Sequence, residues 1–300
     1  MIPKPDPLAD LPRLGVGLLY NASLHRFMET DLDSVDFVAI MPDIFRTDRG
    51  PGSRPRFLPL ETIPQVLDRF AAKRPVIAHS VGLSIGTAAF FDTEYVAEIA
   101  AWQSRYNFPW HSEHVSFFRL PGAEGGERHT ALALPVPYDD ETLELIAERV
   151  IAIRRAVPVP FLLENNVYFT DIPEQAMTEP EFLNALTAET GCGLLLDLHN
   201  LYANGRNHGF DCDAFLDQLD LSRVVEVHLA GGNEMEGIYT DSHYGPCPED
   251  VWAMLRTVVP RAGNLRAITF EFDDDYCNDL GTSGIRAELD RARSVLSALR

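Results

Sequence analysis

Histidines and carboxylates recur at the ends of short apolar runs in this sequence. One such run, Gly193–Leu196, reads GLLL, which is typical of a strand buried on both faces, and it leads into Asp197 and then His199. Burying either polar group without a partner is costly, because burial removes its hydration. The pattern therefore predicts a polar site at the strand ends, together with a partner that offsets the burial.

The same pattern ends six consecutive predicted strands. Nine side chains make up the candidate site: His79, His114, Glu164, Asp197, His199, His228, Asp241, His243 and Glu271. Because side chains alternate along extended backbone, Asp197 and His199 would share one face if their strand continues. Asp241 and His243 would do the same in an extended loop. Each pair could then direct two ligands at one metal ion.

The charges of this set favour metal ions as the missing partner. Four converging carboxylates repel one another, and imidazoles could offset them only as cations, which are costly to desolvate. Two or three divalent cations would neutralise the carboxylates and use neutral imidazoles as ligands. Nine side chains exceed the needs of one four- to six-coordinate ion, so a multinuclear site with a bridging carboxylate is expected. Imidazole and carboxylate ligands without thiolate suit iron, manganese or zinc.

Structural roles are the alternative for each residue taken alone. A single histidine at a strand end is more often a hydrogen-bonded structural residue, and a lone buried aspartate more often caps a helix. Structural roles throughout would, however, require nine independent coincidences on six neighbouring strands. The other histidines and the cysteines are assigned structural roles, namely His25, His111, His129, His208, Cys192, Cys212, Cys247 and Cys277.

The elements that must position these residues alternate between short apolar runs and amphipathic stretches of helical period. Strands are predicted at Leu14–Leu19, Asp36–Met41, Pro75–His79, Trp110–Val115, Pro160–Glu164, Gly193–Asp197, Val224–Leu229 and Ala267–Glu271. Helices are predicted at Thr62–Ala72, Thr93–Tyr106, Asp140–Ala156, Glu179–Glu189, Asp213–Leu219, Pro248–Val259 and Arg286–Leu299. The segment 21–34 is predicted to be weakly helical, and 45–57, FRTDRGPGSRPRF, to be a loop.

This alternation predicts an α/β fold, a (β/α)8 TIM barrel with a single domain over residues 1–300 and a short tail of about 12 residues at its start. A doubly wound open sheet is the main rival, but no GxGxxG follows the first strand. In barrel enzymes the chemistry lies at the carboxyl ends of the strands, which is where the nine candidate residues fall.

Composition restricts the partners. The chain has 25 Lys and Arg against 45 Asp and Glu, a formal charge of −20, which disfavours nucleic acid and anionic membrane surfaces. The four cysteines form no CxxC pair, so reduced thiols and a cytoplasmic location are expected. No apolar run approaches the roughly 20 residues that a membrane span requires.

Several motifs, in this order and spacing, resemble one known family. They are HSVGLSIG, SEHVSFF, LLENNVY, GCGLLLDLHNLYANGRNHG, VVEVHLAGG, DSHYGP and ITFEFD, and they extend from about residue 79 to 273 within a resemblance that begins near residue 14. The sequence is thereby similar to the multinuclear non-haem iron-dependent oxidative enzymes. That resemblance implies a (β/α)8 barrel with two or three irons, Fe2+ or Fe3+, and dioxygen as co-substrate. It further implies modification of a ribosomally made precursor peptide, usually at cysteine, with a separate protein that engages the peptide.

The resemblance also implies how the ligands are shared. One iron would be held by His79, His114 and Glu164, and Glu164 would bridge to a second iron. The second iron would be completed by Asp197, His228 and Glu271, and the third would use Asp241, His243 and His199. Many members carry Asn at the position of His199. The sequence departs from the family at two further places. Met41-Pro42-Asp43 stands where the family commonly has His-Pro-Glu, and Gly232 follows the motif HLAG at a position where the family often has His.

Two further points concern the reaction. Asp273, two residues after Glu271, could serve as a catalytic base, or it could be a solvated loop acid. Two other functions fit a multinuclear barrel: a non-redox hydrolase or sugar isomerase that uses zinc or manganese, and a module that stores or delivers metal. Zinc without iron would favour the first alternative, and freely exchanging metal without turnover would favour the second.

Overall fold

Eight short apolar runs form parallel strands that close into a barrel in sequential order in a computed structural model, which describes residues 7–122, 127–170 and 175–298. The barrel strands are β1 Gly15–Leu19, β2 Val38–Ile40, β3 Val76–Ser80, β4 His111–His114, β5 Phe161–Glu164, β6 Gly193–Asp197, β7 Val224–Leu229 and β8 Ala267–Phe270. The barrel closes because β1 pairs in parallel with both β2 and β8. The (β/α)8 prediction is confirmed, and the open doubly wound sheet is wrong.

Helices cover the outside of this barrel. They are α1 His25–Asp31, α2 Ile63–Ala71, α3 Thr93–Tyr106, α4 Asp140–Ala156, α5 Glu179–Thr190, α6 Leu198–His208, α7 Cys212–Gln218, α8 Glu249–Val258 and α9 Asp274–Ala298. Capping residues fix where two of these helices begin. The Asp139 side chain accepts from the Thr142 amide at the start of α4, and Thr178 and Glu181 form a capping box at the start of α5. Within the described residues, no helix is long and apolar enough to cross a membrane.

The last helix differs from the prediction. It begins at Asp274 rather than Arg286, and it contains a break at Gly281, whose φ is 63°. Glycine tolerates this left-handed backbone, so two helical segments follow one another without an intervening loop. The predicted end at Leu299 lies outside the described residues.

Polar loops on the carboxyl side of three strands fold into β-hairpins that were not predicted. The predicted loop 45–57 pairs Arg46–Asp48 with Phe57–Pro59. Arg56 is buried and donates to both Asp48 and Asp92. Charge pairing, and not a periodic pattern of apolar residues, therefore stabilises this hairpin. The other two hairpins pair Ser116–Pro121 with Glu127–Pro135 and Glu234–Met235 with Ile238–Tyr239.

The interior of the barrel has an apolar floor. It is formed by Leu8, Leu19, Phe37, Ala39, Ile77, Trp110, Leu162, Leu195, Val225 and Ala267. Two residues further along three of the strands, the polar groups His79, Glu164 and Asp197 follow Ile77, Leu162 and Leu195. Because strand side chains alternate, each polar group shares the inward face with the floor residue before it. The polar site therefore lies directly above the apolar floor, towards the carboxyl ends of the strands.

Candidate metal centre

The ends of β3, β4 and β5 bring together His79, His114 and Glu164. Ligand atoms from all three lie within 4.8 Å of one another. His79 Nε2 is 3.2 Å from His114 Nε2 and 3.3 Å from Glu164 Oε2. Adjacent ligands of an octahedral ion with bonds of about 2.1 Å are about 3 Å apart. The spacing therefore fits one cation held by three side chains.

A second cluster shares Glu164 with the first. Its other members are Asp197 at the end of β6 and His228 on β7, again with ligand atoms within 4.8 Å of one another. His228 Nδ1 lies 3.6 Å from Glu164 Oε1 and 3.3 Å from Glu271 Oε1. The Oε2 atom of Glu164 faces the first cluster and Oε1 faces the second, which is the arrangement of a bridging carboxylate.

A third group surrounds Asp241. Its Oδ1 atom lies 2.9 Å from His199 Nδ1 and 3.1 Å from His243 Nε2. His243 has a φ of 54°, a left-handed backbone that is uncommon outside glycine. His243 Nε2 is also 3.4 Å from Glu271 Oε2, so the third group adjoins the second.

His199 reaches this group by a route that differs from the prediction. The strand does not continue beyond Asp197; the side chain of Asp197 accepts from the Asn200 amide at 2.7 Å and begins α6. His199 therefore lies in the first turn of α6, where its second nitrogen, Nε2, is 3.3 Å from the Tyr239 hydroxyl. The prediction that Asp197 and His199 share a strand face is wrong, although His199 still contacts Asp241.

Gly232 is explained by the same neighbourhood. A Cβ atom at this position would lie 2.2 Å from the Thr240 carbonyl oxygen and 2.9 Å from His199 Nε2. Real Cβ atoms do not approach backbone oxygen so closely, so any side chain at 232 would displace the loop that carries Asp241. In this chain the ring of His199 occupies the space beside Gly232.

Four polar atoms at the centre of the site are buried without a hydrogen-bond partner. They are His114 Nδ1, both carboxylate oxygens of Glu164, and His228 Nδ1. A buried polar group left unpaired costs about 1–3 kcal/mol, and four in one place are not expected without a ligand. Metal ions would satisfy all four at once, and an imidazole and carboxylate set suits iron, manganese or zinc. The residues present therefore fit a metal centre.

The buried acids show how strongly the site needs positive charge. Burial raises the pKa of Glu164 well above its usual range, although His228 opposes the shift. Burial, together with Glu271 and Asp241, raises the pKa of Asp197 to about 6. Burial would also raise the pKa of Glu271, but His228 and His243 outweigh it and lower that pKa to about 2.

The imidazoles divide into two kinds. Burial, reinforced by neighbouring histidines, holds the pKa of His79 well below its usual range. Burial also lowers the pKa of His114 to about 4, although Glu271 opposes the shift. Burial acts in the same direction on His243, but Asp241 and Glu271 outweigh it and raise its pKa to about 10. Without cations, protons on such groups would offset the carboxylates. Divalent cations would displace those protons, as metal binding generally does.

Polar residues around the clusters orient the candidate ligands. Ser112 Oγ is 3.0 Å from His79 Nδ1, which leaves Nε2 directed into the first cluster. The Asn165 side chain accepts from the Asp197 amide and donates to the Asp197 carbonyl, both at 2.8 Å. Glu226 Oε1 lies 3.1 Å from His228 Nε2. Sequence reasoning missed Glu226, although its position two residues before His228 on one strand was a usable signal.

Asp273 makes its described side-chain contacts with the backbone of α9. Its Oδ1 atom accepts from the Asp275 amide at 2.8 Å and from the Tyr276 amide at 3.4 Å. Its own amide donates to the His243 carbonyl at 2.9 Å, which ties the helix start to the third group. These contacts leave the catalytic role of Asp273 as a prediction.

The fold and the site together define a class: (β/α)8 barrels with a candidate metal centre at the carboxyl ends of the strands. Two solved structures share this fold. D-psicose 3-epimerase from Clostridium cellulolyticum matches with a TM-score of 0.58 and 11% identity, covering 94% of this chain and 99% of that chain. Endonuclease IV from Thermus thermophilus matches with a TM-score of 0.54 and 17% identity, covering 95% and 99%. At these identities the likeness concerns the fold alone.

Sequence comparison places the chain within this class. The chain belongs to the family described as RiPP precursor modification enzyme MbnB/TglH/ChrH, which matches residues 13–297. A UPF0276 protein from Caulobacter vibrioides is 33% identical over 276 residues, 91% of each chain. A UPF0276 protein from Chromobacterium violaceum is 36% identical over 231 residues, 77% of this chain and 80% of the relative. The resemblance inferred from the motifs is confirmed.

Proposed function

We propose that this protein is a multinuclear iron enzyme that uses dioxygen to oxidise a residue, cysteine in the first instance, of a ribosomally synthesised precursor peptide. Membership of a family of precursor-modifying enzymes supports a peptide substrate. The observation that carries the metal part is Glu164, which is buried with neither oxygen hydrogen-bonded and lies between two histidines on one side and His228 on the other.

In this proposal the nine candidate residues hold two or three ions. His79, His114 and Glu164 would hold the first ion; Glu164, Asp197, His228 and Glu271 the second; and His199, Asp241 and His243 the third. Bound iron would supply redox chemistry with dioxygen and would lower the pKa of a coordinated substrate thiol.

The burial of these side chains indicates where the peptide approaches. His79, Glu164 and His228 are at most 2% exposed, so they face no solvent. The His243 side chain is 29% exposed, Asp241 15% and His114 18%. A substrate side chain would therefore reach the centre past the third group and His114, while the apolar floor excludes water from below.

Metal analysis and peptide mass test this proposal. The chain would be purified anaerobically, its metals counted, and its iron examined by Mössbauer spectroscopy. Each short reading frame beside the gene would then be co-expressed with the chain, and the peptides weighed and assayed for dioxygen uptake. We expect two or three irons per chain and a peptide whose mass changes only with dioxygen. Zinc without iron, with unchanged peptides, would instead support the non-redox alternative.

Two finer parts of the proposal have their own tests. A separate partner that engages the peptide would co-purify with the chain when the neighbouring genes are co-expressed.

The role of Asp273 as a base is tested by Asp273→Asn, which can still accept from the Asp275 amide through Oδ1 and so preserves the helix start. We expect iron content to be unchanged and turnover to fall; unchanged turnover would reduce Asp273 to a capping residue.

A further inference from the structure

Glu226 is a buried carboxylate outside the nine candidate ligands. It lies on β7 two residues before His228, is 1% exposed, and pairs in register with Leu195 and Ala267 of the apolar floor. A carboxylate at this depth is costly unless all its partners are donors.

Three donors surround Glu226. The Trp110 indole Nε1 donates to its Oε2 atom at 2.8 Å, and the Thr269 hydroxyl donates to its Oε1 atom at 2.6 Å. His228 Nε2 lies 3.1 Å from the same Oε1 atom. An indole can only donate, and Thr269 donates to Oε1, so Glu226 is the acceptor in both contacts, and the third contact places a proton on His228 Nε2.

We propose that Glu226 is a positioning residue that holds the proton of His228 on Nε2 and so reserves the Nδ1 lone pair for a metal ion. The Nδ1 atom is buried without a hydrogen-bond partner and lies 3.3 Å from Glu271 Oε1, on the side of the second cluster. A neutral imidazole carries one proton, so fixing it on one nitrogen leaves the other free to coordinate. Such carboxylate–histidine pairs orient the ring and strengthen it as a ligand. This inference rests on the proposed metal centre.

Glu226→Gln tests the proton position while preserving the other contacts. The glutamine oxygen can still accept from Trp110, and its two amide hydrogens can be accepted by the Thr269 hydroxyl and by His228 Nε2. His228 would then carry its proton on Nδ1, where it blocks coordination. We expect the variant to unfold near the wild-type temperature in its metal-free form, and to bind the second iron roughly 10- to 100-fold more weakly.

Thr269→Val is the matched control. It removes one hydrogen bond to Glu226 Oε1 but leaves the carboxylate able to accept from His228, so iron content and the Mössbauer spectrum should remain those of the wild type. Equal iron content and identical spectra in Glu226→Gln and wild type would overturn the inference. An equal loss of iron in Thr269→Val would also overturn it, because packing rather than proton position would then be responsible.

Nitrogen NMR reads the same property directly in the wild-type chain and covers the case in which Glu226→Gln does not fold. Chain labelled with 15N-histidine would be loaded with Zn2+ as a diamagnetic probe. We expect the His228 ring to show zinc on Nδ1 and a proton on Nε2; zinc on Nε2 would overturn the inference. A wild-type chain that binds zinc but no iron leaves this result intact while removing the proposed oxidase, so the two failures are distinguishable.

Discussion

Glu164 is a carboxylate buried at the centre of the candidate metal site. Its side chain is 1% exposed, and neither oxygen has a hydrogen-bond partner. Two imidazoles approach Oε2 and a third approaches Oε1, so this one carboxylate faces both clusters. Burial raises the pKa of this carboxyl well above its usual range, because the cost of desolvation outweighs the opposing effect of His228. Glu164 therefore lies where a bound cation would offset the cost of burying its carboxylate.

Replacing Glu164 by glutamine should separate its effect on metal binding from its effect on the stability of the metal-free protein. Glu164→Gln removes the bridging charge but keeps the shape, so we expect loss of both ions of the shared pair. The metal-free variant should be at least as stable as the metal-free wild type, because a costly buried carboxylate is gone. Metal counting and thermal unfolding with and without chelator measure both effects.

Glu179→Gln is the matched control for that experiment. Glu179 is also a buried glutamate, but its hydrogen-bond partner is Tyr138, and no candidate ligand influences its pKa. Its replacement should leave the metal content unchanged. If Glu164→Gln retained its metals, Glu164 would not be a bridge.

At the residue scale, residue type and position at or soon after a strand end selected the nine candidate ligands from the sequence; the structure brings members of this set together, and their role as ligands stays a prediction. The position of Glu226 two residues before His228 indicated a shared strand face, but its role also depends on a contact with Trp110, 116 residues away, which no local pattern shows. The function of Gly232 was equally hidden, because it depends on the carbonyl oxygen of Thr240 and the ring of His199.

At the scale of elements, the junction between β6 and α6 does two things with one residue. Asp197 ends the strand within the second cluster, and its Oδ1 atom accepts from the Asn200 amide to begin the helix. Asn165, which directly follows the neighbouring strand β5, hydrogen-bonds to both the amide and the carbonyl of Asp197. The apolar run alone predicted the strand, but the change to a helix depends on this local capping bond.

Two replacements of Asp197 distinguish capping from metal binding. Asp197→Asn can still accept from the Asn200 amide, whereas Asp197→Ala cannot. Both variants should lose the second ion, but only the alanine variant should lose about 1 kcal/mol of metal-free stability, the usual value of a capping bond. Denaturant unfolding in chelator, compared with metal counts, measures the two effects. Full metal content in Asp197→Ala, whose side chain has no ligand atom, would exclude Asp197 as a ligand.

The start of α5 predicts a pH dependence that is independent of metal. Burial raises the pKa of Glu179 from 4.5 to about 8, against the opposing hydrogen bond with Tyr138. The unfolded chain therefore loses this proton at lower pH than the folded chain does. This residue's contribution is fully present below pH 4.5, falls as pH rises through that window, and is constant above about 8.

Glu179→Gln should abolish that contribution, because the amide keeps a hydrogen bond to Tyr138 and does not titrate. The difference in unfolding free energy between variant and wild type should grow across the window, on the order of a few kcal/mol in favour of the variant. Denaturant titrations of both proteins at several pH values between about 4.5 and 9, in chelator, measure it. Parallel stability curves would show that Glu179 titrates alike in both states.

The hairpins show where element prediction from sequence stops. Barrel strands and long helices were predicted because burial imposes a period on their sequences. The hairpin Arg46–Asp48 with Phe57–Pro59 carries no such period; it is stabilised by the buried Arg56 side chain, which pairs with the exposed Asp48 and with Asp92. Long-range charge pairing leaves no local pattern in the sequence.

At the scale of the whole molecule, the barrel gathers ligands from β3 to β8, so the candidate centre spans six of eight strands. The formal charge of −20 adds repulsion that a cluster of cations would partly offset at its densest point. We therefore expect metal binding to be coupled to closure of the barrel, because the candidate ligands come together only when these strands are in register.

Removing the metal should consequently lower the stability of the entire domain. At a free metal concentration about 100 times the dissociation constant, one bound ion contributes about 2.7 kcal/mol, which corresponds to roughly 5 °C in a domain of this size. We expect calorimetry to show a single unfolding transition whose midpoint temperature falls by at least this amount in chelator and recovers when Fe2+ is restored anaerobically.

Glu164→Gln provides the control, since chelator should shift the unfolding temperature of this variant much less. Hydrogen exchange should lose protection at the carboxyl ends of β3 to β8, where the ligands lie, while the apolar floor stays protected. A wild-type transition that does not respond to chelator, in protein shown to have released its metal, would mean that these ions do not hold the strands together.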